Sequence, residues 1–167
     1  MPVILITGGA RSGKSTRAEA RARAFAGKPV YIATAEAFDH EMRERIAQHR
    51  ARRGQDWIEH ETPLELVAAL NATDGGGARL IDCLTIWLSN LMHQGRDWAK
   101  EAGRLAEALR AQQSPVVLVT NEVGSGIVPD NALARRFRDE AGRLNQRMAQ
   151  CASSVLFMVA GLPMRVK

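Results

Sequence analysis

The chain has 167 residues, 46% of them hydrophobic and 25% charged, ordinary values for one soluble globular domain with a real core. No apolar run approaches the roughly 20 residues needed to cross a membrane, and a strand pattern begins almost at residue 1 with no basic n-region or cleavage site. No membrane span or signal peptide is therefore expected, and the cytoplasm is the expected location. The net charge is +5, from 19 arginines and 4 lysines against 18 acids. Arginine suits bidentate phosphate contacts, yet base composition and solvated helix faces account for most of these residues, and no nucleic acid is needed to explain the charge.

In chain order, Val3-Ile4-Leu5-Ile6-Thr7 reads as a buried strand. Gly8-Gly9-Ala10-Arg11-Ser12-Gly13-Lys14-Ser15 follows, a complete G-x-x-x-x-G-K-[ST] phosphate loop, and residues 16–25 read as a helix. Backbone N–H groups of such a loop wrap a phosphate at a helix N-terminus, where the macrodipole also favours negative charge. Lys14 is expected to reach the outer phosphates of a nucleoside triphosphate, and the Ser15 hydroxyl to ligate Mg²⁺.

Val30-Tyr31-Ile32-Ala33-Thr34 reads as a strand and residues 39–53 as a charged helix with Asp39 as N-cap. Residues 57–61 read as an extended segment, 63–71 as a helix with Pro63 in its first turn, and 73–77 as a flexible loop. A strand is expected at 79–82 and helices at 85–92 and 97–112. Residues 116–120 form the clearest buried strand, ahead of a Gly-rich loop at 121–129. The helix over 130–151 carries Leu133, Phe137, Leu144 and Met148 on one apolar stripe, and a last strand covers 155–159. Such alternation predicts an α/β fold, a mainly parallel sheet with helices on both faces, without repeat or linker. Ligands of such sheets bind beyond the carboxyl ends of the strands. That rim gathers the phosphate loop, Ala33-Thr34-Ala35, Asp82 and the Asn121-Glu122 loop.

Asp82, at a strand end, reads either as a second magnesium-site residue or as a turn carboxylate before the next helix. Met42, Ile46 and His49 fall at i, i+4 and i+7 and share one helix face, so His49 is expected to point inward. Arg50, Arg52 and Arg53 beside it disfavour a protonated imidazole, and the neutral form is the nucleophile. A packed or surface histidine fits the same spacing. The three arginines clamp a triphosphate or form a solvated face. Glu59 and Glu61 alternate, so they face one side together, and one of them is a candidate contact to a ribose or base. His40, His60 and His93 read as ordinary polar positions. Cys83 and Cys151 lack metal-ligand spacing and read as reduced, packed thiols.

These residues together resemble the bifunctional adenosylcobinamide kinase/adenosylcobinamide-phosphate guanylyltransferases, nearly from end to end. The resemblance rests on residues 7–15, Tyr31-Ile32-Ala33-Thr34-Ala35, Glu41-Met42, Arg45-Ile46 and His49-Arg50, then on Trp57 with Glu61, Asp82-Cys83-Leu84-Thr85, residues 87–91 and the 119–129 block. Phe137-Arg138-Asp139, Ala141-Gly142-Arg143 and Asn145-Gln146-Arg147 complete it. It implies phosphorylation of adenosylcobinamide by ATP or GTP. GMP transfer from GTP follows, through a guanylylated histidine that matches His49. Implied GTP contacts are Gly8, Gly9, Ala10, Arg11, Ser12, Gly13, Lys14, Ser15, Ala33, Thr34, Ala35, Arg50, Ala51, Arg52, Arg53, Glu61 and Asp82, with Mg²⁺ on Ser15 and Asp82. A parallel-sheet phosphate-loop domain, assembled as a homo-oligomer (a trimer), is implied as well. A plain small-molecule kinase and a nucleotide-dependent nucleic-acid-binding module are the rival readings.

Overall fold

The computed structural model describes residues 1–36 and 40–167, with every side chain among them except those of Glu41, Met42, Arg45, His49 and Arg52. Among the described residues seven strands form one sheet: β1 (Val3–Gly8), β2 (Val30–Ala33), β3 (Ile58–Glu61), β4 (Arg79–Asp82), β5 (Val116–Val119), β6 (Ser154–Val159) and β7 (Leu162–Arg165). Their order is β3-β2-β4-β5-β1-β6-β7, parallel throughout except for β7, which runs antiparallel to β6. The helices are α1 (Lys14–Arg23), α2 (His40–Arg53), α3 (Leu66–Ala72), α4 (Leu84–His93), α5 (Trp98–Ala111) and α6 (Ala132–Cys151), with a 3-10 turn at Gly54–Asp56. Among the described residues no helix is long and apolar enough to cross a membrane.

Side chains alternate across each strand, and the two faces of the sheet carry separate cores. Val3, Leu5, Ile32, Ile81, Val116 and Leu118 pack with Leu70, Leu88, Leu105 and Leu144 from α3 to α6. Ile4, Ile6, Tyr31, Leu80, Val117 and Val119 pack with Ala18 and Ala22 of α1 and with Trp57. A central strand buried on both sides explains the unbroken apolar runs at β1 and β5, each side chain contributing about 1.5–3 kcal/mol.

Four expectations need correction. Residues 162–165 form β7, an exposed edge strand carrying Pro163, a residue edge positions tolerate. Helix α3 begins at Leu66 rather than Pro63, because the Thr62 hydroxyl accepts from Glu65 N at 3.0 Å and turns the chain first. The 73–77 segment is tied down: Asp74 accepts from Gln113 N and Ser114 N at 2.9 and 3.0 Å, and Ser114 Oγ donates to Gly76 O at 3.1 Å. Leu133 leaves the apolar stripe of α6 and is 66% exposed, while Leu144 and Met148 are buried. The expected N-cap Asp39 lies outside the described residues. Caps do appear at Asp97, accepting from Lys100 N, and at Asn131, accepting from Ala134 N. Both cysteines are free, Cys83 buried and Cys151 half-buried.

Candidate active site

Strand register brings the chemistry to one rim. Ala33 stands opposite both Asp82 and Glu61, and Asp82 opposite Val119, so β2, β3, β4 and β5 end level with one another. The phosphate loop leaves β1 beside them, joined to the loop after β5 by Glu122 N donating to Gly8 O at 3.0 Å.

The loop's shape depends on two glycines. Gly8 has φ +148°, and a Cβ there would lie 2.6 Å from Met158 O. Gly13 caps α1 in the left-handed region at φ 91°, and its Cβ would meet Gly161 Cα at 3.2 Å. The β6–β7 turn therefore braces the loop from behind, with Gly161 N donating to Ser12 O at 3.1 Å. Lys14 is buried, its Nζ donating to Gly9 O at 2.5 Å. The hydroxyls of Thr7 and Ser12 are buried with no hydrogen-bond partner. Orphaned polar atoms of this kind in a loop of backbone N–H groups mark a place built for an anion.

A cleft of about 1050 Å³ opens beside this loop. Of the sequence-predicted residues, Lys14, Ser15, Ala33, Ala35, Arg50, Ala51, Arg53, Glu61 and Asp82 line it. Gly8, Gly9, Ala10, Arg11, Ser12 and Gly13 shape the loop without lining the cleft. Thr34 is fully buried and spent on the fold: its hydroxyl donates to Cys83 O at 2.8 Å and accepts from Cys83 N at 2.9 Å, and its carbonyl accepts from Asn90 Nδ2 at 2.9 Å. It clasps β2 to β4 and so sets Asp82. His49 belongs to the last turns of α2, and its side chain, like that of Arg52, lies outside those described. Ile46, expected on the same face, does line the cleft.

Tyr31, Glu36 and Arg43 also line the cleft and were missed as site residues. Tyr31 donates to Asp82 Oδ2 at 3.1 Å, and the Arg53 guanidinium carbon sits 3.5 Å from its ring centroid. Burial first, and the Asp82 charge second, push the Tyr31 phenol well above its ordinary range, which keeps it a donor. Glu59, read as sharing a face with Glu61 and with it as a candidate contact to a ribose or base, lines the cleft too. Its carboxylate takes Arg50 and Arg53 together, at 2.6 and 2.8 Å. Burial alone would raise Glu59, but the hydrogen bonds from both arginines outweigh it and hold the carboxyl below its usual range. Strand period was the available signal, since Tyr31 precedes Ala33 by two and Glu59 precedes Glu61 by two. Cys83, pushed up to about 11 by burial and then by Asp82, stays a neutral thiol and supplies no nucleophile.

The oxygen donors Ser15 and Asp82 share the cleft. One hydroxyl and one carboxylate, with phosphate oxygens and water completing the shell, fit Mg²⁺ better than a dedicated protein cage would. Among the described residues no group of three His, Cys, Asp or Glu side chains could hold a metal alone.

Comparison with known proteins gives the family and the fold. The family model described as "Cobinamide kinase / cobinamide phosphate guanyltransferase" matches residues 4–166. A bifunctional adenosylcobalamin biosynthesis protein CobP of Pseudomonas aeruginosa is 50% identical, covering 98% of this chain and 96% of that one. The bifunctional adenosylcobalamin biosynthesis protein CobU of Salmonella typhimurium is 40% identical over 99% of both chains. Among solved structures, a type III secretion system ATPase superposes with a TM-score of 0.59 at 11% identity, over 98% of this chain and 56% of that one. The RadB recombinase gives 0.52 at 16%, over 93% and 73%. These structural likenesses show the phosphate-loop NTPase fold alone. By sequence, over nearly its whole length, the chain belongs to the cobinamide kinase/cobinamide phosphate guanyltransferase family.

Proposed function

We propose that the protein phosphorylates adenosylcobinamide with ATP or GTP, then attaches GMP from GTP to the resulting phosphate through a guanylyl-histidine. The carrying observation is that the phosphate loop and the arginine-bearing last turn of α2 line one cleft. In the first reaction the substrate hydroxyl oxygen attacks the γ-phosphorus, the bond to the β–γ bridging oxygen breaks, the nucleoside diphosphate leaves and the hydroxyl proton passes to water. Lys14 offsets charge on the transferring group. Ser15 and Asp82 are the residues that would hold Mg²⁺, which when bound neutralises phosphate charge. In the second, an imidazole nitrogen of His49 attacks the α-phosphorus and pyrophosphate leaves. An oxygen of the cobinamide phosphate then attacks that phosphorus, and the P–N bond breaks. Dividing the transfer keeps two polyanions from meeting in one transition state. Arg50 and Arg53, which line the cleft, would offset the charge that develops on the leaving pyrophosphate. One sheet serves both steps, and the resemblance implies a cytoplasmic homotrimer.

Incubation with α-labelled GTP followed by denaturation tests the histidine step. An acid-labile, alkali-stable label is expected on the wild type and none on His49→Ala; a wild type that carries no label leaves only a kinase. Tyr31→Phe is a separate test. Loss of the donor to Asp82 is expected to raise the Mg²⁺ concentration for half-maximal phosphorylation by about 10-fold, the scale of losing a partner behind a metal ligand. An unchanged Mg²⁺ dependence refutes the role of Tyr31 in setting Asp82 for the metal.

A further inference from the structure

Glu59 is not among the GTP contacts that the resemblance implies, yet it holds two residues that are. Its Oε2 accepts from Arg50 Nε at 2.6 Å and lies 2.6 Å from Arg50 Nη2, while its Oε1 accepts from Arg53 Nη2 at 2.8 Å. Arg50 and Arg53 stand at i and i+3 on α2 and share a face. In the β2–β3 register Glu59 lies opposite Tyr31, so the sheet presents the carboxylate and the phenol on one side. Arg53 is thus fixed at one edge by Glu59 and on one face by Tyr31, and it is only 3% exposed. Its Nε and Nη1 are buried with no hydrogen-bond partner. Two orphaned N–H groups on a clamped guanidinium are costly unless something with acceptor oxygens meets them.

We propose that Glu59 is a positioning residue: it docks the last turn of α2 onto the sheet and aims Arg50 and Arg53 at the polyphosphate of the nucleotide. The proposal rests on the functional reading above only for the chemistry that follows binding. It makes a prediction opposite to simple electrostatics. Removing a carboxylate beside an anion site should tighten anion binding on charge alone. If Glu59 acts by aiming the arginines, its loss weakens binding instead.

The test measures equilibrium binding of inorganic tripolyphosphate and of α,β-methylene GTP to the full-length wild type, Glu59→Gln and Glu59→Asp. For Glu59→Gln a loss of about 10-fold is expected for both ligands, the scale of charge-assisted hydrogen bonds. Glu59→Asp keeps the charge but is one methylene short of spanning both guanidiniums, so an intermediate loss is expected. Unchanged or tighter binding in both variants overturns the proposal. So does a loss confined to the GTP analogue, which would make Glu59 a base contact. Thermal unfolding checks the fold of each variant, and if Glu59→Gln does not fold, Glu59→Asp decides alone. Single-turnover GMP attachment at saturating GTP is expected to fall by about 10²-fold in Glu59→Gln, since small misplacements of reacting groups have effects of that order. If the wild type forms no adduct, the histidine mechanism fails while the tripolyphosphate measurement still judges Glu59.

Discussion

Lys14→Ala is expected to lower the rate of cobinamide phosphorylation by about 10³-fold or more, without unfolding the protein. Lys14 opens α1, where alanine is an equally good helix former, and its buried Nζ closes the loop on Gly9 O. A bound triphosphate offers that ammonium far better acceptors than a carbonyl. Loss of a single preorganised donor to developing charge typically has an effect of about 10²–10³-fold, and here a full charge and ground-state binding go with it. GMP attachment is expected to fall in parallel, because Lys14 and the α2 arginines line the same cleft. Phosphorylation within tenfold of wild type would contradict the assignment of the loop. Loss of phosphorylation with GMP attachment intact would mean that the α- and γ-phosphates are held by different residues.

The largest expected effect on stability lies away from the cleft. Arg79 opens β4 fully buried, its Nη1 2.9 Å from Asp74 Oδ1 and its Nη2 donating to Gln112 Oε1 at 2.5 Å. Asp74→Ala strands a buried guanidinium and frees the N–H groups of Gln113 and Ser114, at an expected loss of about 3–5 kcal/mol. For a protein of this size that lowers the melting midpoint by roughly 6–20 °C. Adding Arg79→Met to Asp74→Ala should restore much of the loss, because an apolar side chain needs no partner there. A single variant melting within about 2 °C of wild type would show the pair to be dispensable. The pH dependence has a definite sign. Burial raises the Asp74 carboxyl, but the N–H groups of Gln113 and Ser114 and the Arg79 charge outweigh it, so the folded value lies below the ordinary one. Its contribution is therefore complete above the unfolded value, near pH 4, and fades as pH falls through the folded value. The gap between wild type and Asp74→Ala should narrow in acid.

Features whose physics is local were legible in the residues. The phosphate loop needs glycine where backbone crowds backbone, and Gly8 against Met158 O shows that need. Buried parallel strands need apolar side chains on both faces, and residues 3–7 and 116–120 announced themselves that way. What stayed hidden depends on partners distant in the chain. Arg79 looked like an ordinary basic residue because Asp74 and Gln112 are brought to it only by the turn and α5. Thr34 was expected at the nucleotide, but its hydroxyl is taken by Cys83, whose backbone reaches it across the β2–β4 register. Glu59 and Glu61 were seen to share a face, while the arginines they meet come from the element before. The four residues of β7 include Pro163 and lack a buried face, so neither period nor propensity marked them.

The place of β1 in the sheet has a consequence in time. Its neighbours are β5 and β6, so the strand that carries the phosphate loop pairs with residues more than a hundred positions later. The brace from Gly161 arrives later still. A nascent chain emerging from the ribosome therefore exposes the whole G-x-x-x-x-G-K-S signature long before it owns the scaffold that shapes it. Nucleotide capture has to wait for β5 and β6, which are translated more than a hundred residues after the strand that carries the motif.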